Sequence, residues 1–121
     1  MSQTLVRIII PALNEEKTIV SVIDEIPKAH LENLGYGVSI VVIDNNSTDR
    51  TKLISEGKGV TVISELKRGK GRAITTAFES IRGDFIFILD ADYTYPATHI
   101  PQMLQVLESG YDVVLGSRLK G

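Results

Sequence analysis

The sequence predicts a doubly wound α/β domain, with a mostly parallel sheet and helices on both faces. Short apolar, β-branched runs alternate with segments of helical periodicity from one end of the chain to the other. The runs are continuously apolar, as in strands covered on both faces. Polar clusters follow the strands directly: Asn14-Glu15, Asp44-Asn45-Asn46 and Asp90-Ala91-Asp92. In such sheets ligands bind beyond the carboxyl ends of the strands, so the clusters point to one edge and one site.

The elements follow in order. Val6 to Ile10 is an apolar strand stopped by Pro11. Glu16 to Lys28 reads as a helix, with Ile19, Val22, Ile23 and Ile26 on one face. Gly35 and Gly37 break the chain before the strand Val38 to Ile43. Ser47 or Thr48 caps a short helix through Ser55, with Asp49 bracing the turn. Val60 to Ile63 is a third strand. Gly69 to Gly71 opens a helix carrying Ala73, Ile74, Ala77, Phe78 and Ile81. Gly83-Asp84 turns into the strand Phe85 to Leu89. Pro96 or Pro101 starts a last helix with Ile100, Met103, Leu104 and Leu107 on one face, and Val113 to Leu115 begins a fifth strand.

The 121 residues allow one domain with its own core. A net charge of −2 gives no bulk attraction to nucleic acid. The absence of cysteine excludes disulfides and thiolate metal sites. Met1 to Gln3 is polar and the first apolar run is short, so no signal peptide is expected. No run approaches the roughly 18 apolar residues of a membrane span; membrane association is expected only through segments outside this sequence.

The run Phe85-Ile-Phe-Ile-Leu-Asp90-Ala91-Asp92-Tyr-Thr94-Tyr-Pro96 is the most informative stretch. A buried strand delivers two carboxylates, one residue apart, to its open end. Two close anions repel unless a cation or a shared proton lies between them. Hard oxygen ligands on a short loop suit Mg²⁺ or Mn²⁺, which commonly hold phosphates as well. Thr94 offers a hydroxyl to the metal shell or simply turns the loop, and Tyr93 and Tyr95 wall the site. Lys67-Arg68-Gly69-Lys70-Gly71-Arg72 combines glycines with cations at a helix start, a diphosphate cradle on one reading and a solvated basic loop on the other. It is not a Walker A loop, and no Gly-x-Gly-x-x-Gly follows the first strand, which argues against NAD or FAD. Glu16 reads as an acid favourable to the helix dipole. Asp44 can accept from a base N–H or a ribose hydroxyl. His30 and His99 read as surface or packing residues, and Arg118 as a phosphate partner or an ordinary surface arginine.

In order, the stretches Ile-Pro-Ala-Leu-Asn-Glu, Val-Val-Ile-Asp-Asn-Asn-Ser-Thr-Asp-Arg-Thr, Gly-Lys-Gly-Arg-Ala, Leu-Asp-Ala-Asp and Gly-Ser-Arg span nearly the whole chain. Taken together they resemble the nucleotide-sugar half of an inverting family 2 glycosyltransferase with the GT-A fold. The nearest branch by motif is the dolichyl- or polyprenyl-phosphate sugar transferases. The resemblance implies that residues 1–121 form a nucleotide-sugar-binding domain, incomplete because the acceptor half lies beyond Gly121. It implies that Pro11, Leu13 and Glu15 line base and ribose, that Asp44 contacts the base, and that Lys70 and its neighbours lie near the diphosphate. Asn14, Asn45, Ser47, Gly71 and Ala91 complete the binding set. Asp90 and Asp92 would be the catalytic pair, holding ribose and Mg²⁺ or Mn²⁺ with Thr94, and Arg118 would face a phosphate.

The implied partners are a GDP- or UDP-linked sugar and a polyprenyl or dolichyl phosphate acceptor. The implied location is the cytoplasm, at the cytoplasmic face of a membrane, and an exposed sheet edge allows a homodimer. The family usually carries a second acid where this chain has Asn45, which bears on base preference and nucleotide contact. Mannosyl-phosphate-dolichol synthases often carry Gln where Thr94 stands, so the mannosyl assignment does not transfer at that position. Metal and cations would stabilise the leaving nucleoside diphosphate, and a phosphate nucleophile, already anionic, needs little general-base help.

Other readings remain at this stage. Asp90-x-Asp92-x-Thr94 fits the first motif of haloacid-dehalogenase-type phosphatases, with Asp90 as nucleophile, but only Asp112 and Lys120 remain to supply the rest. A non-catalytic nucleotide-binding module keeps the pocket without an acceptor half. A sugar nucleotidyltransferase would need a glycine-rich, arginine-containing loop after its first strand, which Pro11-Ala-Leu-Asn-Glu is not.

Overall fold

The computed structural model of the chain describes residues 4–67, 69, 71–72, 75, 84–89 and 100–101. Over these residues the order is β1 (Thr4–Ala12), α1 (Ile19–Glu25), α2 (Lys28–Asn33), β2 (Tyr36–Asp44), α3 (Thr51–Gly57), β3 (Thr61–Ser64) and β4 (Phe85–Ile88). The strands form one parallel sheet in the order β3-β2-β1-β4. The chain winds outward from β1 to β3 and then returns to the far side of β1. That reversal places a switch point between β1 and the strands beside it, where doubly wound sheets open a crevice at their carboxyl edge.

β1 is the spine. Val6, Ile8, Ile10 and Ala12 bury one face of it against Ile19, Val22, Ile23 and Ile26 on and just after α1, Leu31 of α2, and Ile100. Ile9 points the opposite way and packs with Val41, Ile43, Ile63, Ile86 and Ile88. Ile9 and Ile43 are fully buried, so both faces of the sheet are covered. This is why the strands read as unbroken apolar runs. Each fully buried aliphatic side chain contributes about 1.5–3 kcal/mol.

Several boundaries differ from the sequence reading, each for a local reason. Pro11 does not stop β1, which pairs with β2 through Pro11↔Ile43 and Ala12↔Asp44. The Ile9 carbonyl accepts from Leu89 N–H at 2.9 Å, so backbone alternation aims position 11 towards the β4 side as well. Its missing N–H therefore falls past Ile9↔Ile88, the last β1–β4 pair among the described residues. α1 begins at Ile19, because the Glu15 carbonyl takes the N–H groups of Thr18 and Ile19. It ends at Ile26, which is extended (φ −67°, ψ 122°) because Pro27 follows. A separate short helix, α2, was not expected. Gly37 lies inside β2 opposite Leu5, and only Gly35, at φ 102°, makes the break. α3 starts at Thr51, later than a Ser47 or Thr48 cap would give. The predicted β3 and β4 agree within a residue. The remainder of the helix expected from Gly69, the last helix beyond Pro101 and the fifth strand lie outside the described residues.

Candidate functional site

Parallel register brings the carboxyl ends of β1 and β2 level, with Ala12 opposite Asp44. The Asn45 N–H donates to the Ala12 carbonyl at 2.8 Å and locks the two exits together. Asp44 is only 4% exposed. Its Oδ2 accepts a long 3.4 Å hydrogen bond from Ser47 N–H, and its Oδ1 has no partner among the described residues. A buried acceptor without a donor costs about 1–3 kcal/mol. Native proteins hold few such groups, and each calls for an explanation such as strain, a catalytic role, or a water or ion that supplies the partner. Leu13, partly exposed, follows Ala12 on the same rim.

The loop after β1 is stitched to the loop after β2. Asn14 adopts the left-handed conformation (φ 55°), which asparagine tolerates. Its N–H donates to Ser47 Oγ at 3.0 Å, and its Oδ1 accepts from Thr48 N–H at 2.8 Å, Thr48 Oγ1 at 3.3 Å and Asp49 N–H at 3.3 Å. Glu15 N–H donates to Thr51 Oγ1 at 2.8 Å. Glu16 N–H donates to Asp49 Oδ2 at 3.2 Å, and Arg50 N–H donates back to Glu16 Oε1 at 2.9 Å. Glu16 therefore braces the second loop and lies outside the first turn of α1, contrary to its reading as a helix-dipole acid. Desolvation acts to raise the Asp49 carboxyl, but hydrogen bonds from the Thr51 hydroxyl and N–H, from Glu16 N–H and from its own N–H outweigh it and hold the group below the usual aspartate range.

A third loop joins through Asn45, 3% exposed. Its Nδ2 donates to the carbonyls of Glu65 at 3.0 Å and Lys67 at 2.8 Å, while its Oδ1 accepts from Gly69 N–H at 2.8 Å. Glu65 N–H donates to the Asp44 carbonyl at 2.9 Å. The basic glycine loop is thereby rooted beside Asp44. Lys67 is exposed, and Arg72 reaches Glu65 at 3.8 Å. Gly71 is exposed, with open space where a Cβ would stand.

Of the residues singled out in the sequence, the structure gathers Pro11, Leu13, Asn14, Glu15, Asp44, Asn45 and Ser47 at one edge, with Gly71 on the loop tied to them. Lys70, Asp90, Ala91, Asp92, Thr94 and Arg118 lie outside the described residues. The chain reaches that acidic stretch from Leu89, buried and bonded to Ile9 at the end of β4. Thr51, fully buried between Glu15 and Asp49, was not singled out as a site residue; its only local signal is the Asp49-x-Thr51 spacing. Among the described residues no three His, Cys, Asp or Glu side chains gather as a metal cluster, and no helix is long and apolar enough to cross a membrane. Among the described residues, the edge thus combines a buried carboxylate with acceptor capacity to spare and a loop that carries the exposed Lys67. Such a pair suits a ligand with a hydrogen-bond donor at one end and negative charge at the other.

Comparison with known proteins identifies the family. The family model described as Glycosyl transferase family 2 matches residues 7–121. The low-salt glycan biosynthesis hexosyltransferase Agl6 of Haloferax volcanii is 42% identical over 94% of this chain and 27% of its own length. The dolichol-phosphate mannosyltransferase of Pyrococcus furiosus is 34% identical over 93% of this chain and 33% of its own length. The crystal structure of glucosyl-3-phosphoglycerate synthase from Mycobacterium tuberculosis with Mn²⁺, UDP and glucosyl-3-phosphoglycerate superposes with a TM-score of 0.75 at 30% identity, over 90% of this chain and 41% of that one. The chain spans less than half the length of each of these three proteins.

Proposed function

Because this chain belongs to glycosyl transferase family 2, we propose that residues 1–121 are the nucleotide-sugar-binding part of a GT-A glycosyltransferase that passes a sugar from a nucleoside-diphosphate donor to a polyprenyl or dolichyl phosphate, with inversion at the anomeric carbon. The observation that carries the reading is the buried Asp44 carboxylate, whose Oδ1 has no partner among the described residues. A ring N–H of the donor's base supplies the hydrogen it lacks. Pro11, Leu13 and Glu15 border the base and ribose from the β1 loop, held in place by the bonds from Asn14 and Glu15 to Ser47 and Thr51. Lys70, Gly71 and their neighbours meet the diphosphate from the loop rooted at Asn45. Arg118 meets a phosphate of donor or acceptor.

Asp90 and Asp92, with Thr94, would hold a divalent cation. The fit rests on donor chemistry and placement: hard carboxylate oxygens suit Mg²⁺ or Mn²⁺, and Leu89, directly after β4, bonds to Ile9 of β1 at the same edge as Asp44. When bound, the ion supplies positive charge to the departing diphosphate. The Mn²⁺ and UDP in the similar crystal structure and the dolichol-phosphate relative support the metal and acceptor classes. A polyprenyl phosphate acceptor places the reaction at a membrane surface, on its cytoplasmic side.

Calorimetric titration with UDP and GDP, with and without Mn²⁺ and beside Asp92→Ala, tests the reading. Metal-dependent binding that the substitution removes supports it and selects the base. Failure of both nucleotides to bind overturns the donor site.

A further inference from the structure

We propose that Thr51 is a positioning residue for the donor's nucleoside: its hydroxyl, held by Asp49, sets where the β1 loop stands against base and ribose. The inference rests on the donor-site reading. It assigns the placement of that loop to a buried hydroxyl of α3, 36 residues from the amide it holds.

The Thr51 side chain is fully buried. Its Oγ1 accepts Glu15 N–H at 2.8 Å and donates its own hydrogen to Asp49 Oδ1 at 2.5 Å. The same Asp49 oxygen takes Thr51 N–H at 2.9 Å, and Asp49 Oδ2 takes Glu16 N–H at 3.2 Å. A hydroxyl both donates and accepts, so it joins an amide to a carboxylate with both satisfied. The carboxylate's charge polarises the hydroxyl and strengthens its hold on Glu15. Consecutive amides of the β1 loop therefore hang from Asp49, one through Thr51 and one directly.

Thr51 is itself fixed from behind. Its carbonyl accepts from Ser55 Oγ at 2.8 Å, and Ser55 is also fully buried. On the far side of the loop, the Glu15 carbonyl takes Thr18 N–H at 3.1 Å and Ile19 N–H at 2.9 Å. Glu15 is thus held by α3 through its N–H and by the approach to α1 through its carbonyl. Only Leu13 and Asn14 separate this anchor from Ala12, where β1 ends. So short a span between fixed ends has little freedom, and Leu13 and Glu15 border the donor from where it leaves them.

Thr51→Val keeps the branched shape and deprives Glu15 N–H of this acceptor. Thr51→Ser keeps the hydroxyl and loses a methyl. Affinity falls with the fraction of molecules that keep the loop in place.

Calorimetric titration of wild type, Thr51→Val and Thr51→Ser with UDP, GDP, uridine and guanosine separates the outcomes. We expect Thr51→Val to weaken the preferred nucleoside diphosphate and its parent nucleoside by the same factor, roughly tenfold. Thr51→Ser is expected to stay within about threefold of wild type for both. Equal losses in the two variants make the role one of packing and overturn the inference. So does binding by Thr51→Val that matches wild type, or a loss confined to the diphosphate. Amide exchange in the wild type reads the same bracket without a variant. With nucleotide at ten times Kd, Glu15 N–H is expected to exchange about tenfold more slowly than in the free chain, because the ligand suppresses an opening that it does not bind. Slowing at Glu15 no greater than that of Asp84 N–H, at the opposite edge, overturns the inference. A wild type that binds neither UDP nor GDP refutes the donor-site reading itself, and the inference with it.

Discussion

The two edges of the sheet treat their aspartates in opposite ways. At the amino edge, exposed Asp84 closes a reciprocal pair with Leu5: Leu5 N–H donates to Asp84 Oδ2 at 2.8 Å, and Asp84 N–H donates to the Leu5 carbonyl at 2.9 Å. At the carboxyl edge, Asp44 is buried and one of its oxygens has no partner among the described residues. The amino ends of β2 and β3 also border a cavity of about 510 Å³ lined in part by Lys28 and Lys58. Those cations already pair with Glu32 at 3.1 Å and Asp24 at 2.7 Å. Volume alone does not mark a site. Among the described residues, the carboxyl edge is where a buried oxygen keeps unspent hydrogen-bonding capacity, and a ligand there would gain what the fold has left unsatisfied.

Asp44→Ala is the sharpest test of the contrast. A hydrogen bond to a charged group is worth about 1.5–3 kcal/mol, or roughly a 10- to 150-fold change in Kd. We expect a loss of nucleotide affinity of that size by calorimetry. Thermal stability should hold or rise, since the variant gives up one 3.4 Å bond and sheds a buried charge. A large fall in melting temperature with affinity intact would assign Asp44 to structure and break the comparison.

Asp49 tests the same edge through pH. Its folded carboxyl lies below the ordinary aspartate range because Thr51 and Glu16 donate to it. A lowered folded value adds stability that is present above the unfolded pKa of about 3.9 and is lost as pH falls from there through the folded value. Asp49→Asn should flatten that acid limb in melts taken between about pH 5 and pH 2. An unchanged limb would show that the loop does not depend on the charge.

The smallest effect is expected at the amino edge. Asp84→Ala removes one exposed hydrogen bond to Leu5, worth about 0.5–1.5 kcal/mol. A fall of a few degrees in melting temperature, with nucleotide affinity unchanged, fits the contrast. An affinity loss matching that of Asp44→Ala would erase the distinction between the edges.

Much of the scaffold was legible because it is written locally. Continuous apolar runs at Val6 to Ile10, Val38 to Ile43 and Phe85 to Leu89 announce strands buried on both faces. Ile19, Val22, Ile23 and Ile26 announce a helix, and all four are buried. Alternation of the two was enough to predict a parallel sheet, and acids at the strand exits pointed to its carboxyl edge. Pro11 and Pro27 show the limit of local rules. One proline sits at the end of a strand, its missing donor past the last β1–β4 pair among the described residues. The other ends α1 at Glu25, short of the Lys28 that periodicity gave, and precedes a second short helix that periodicity did not give.

What the tertiary structure alone decided is the use of each polar side chain at that edge. Asn14 reaches Ser47, Thr48 and Asp49, and Glu15 reaches Thr51, across separations of 33 to 36 residues. Asn45 reaches Glu65, Lys67 and Gly69 across 20 to 24. Those partners are set by the Ala12↔Asp44 register of β1 and β2 and by the return of the chain beside it. Composition and periodicity place an aspartate and an asparagine side by side at a strand end. Only the folded register leaves one with an oxygen to offer and the other with its amide hydrogens already bound, because hydrogen bonding depends on distance and direction between groups that the sequence keeps far apart.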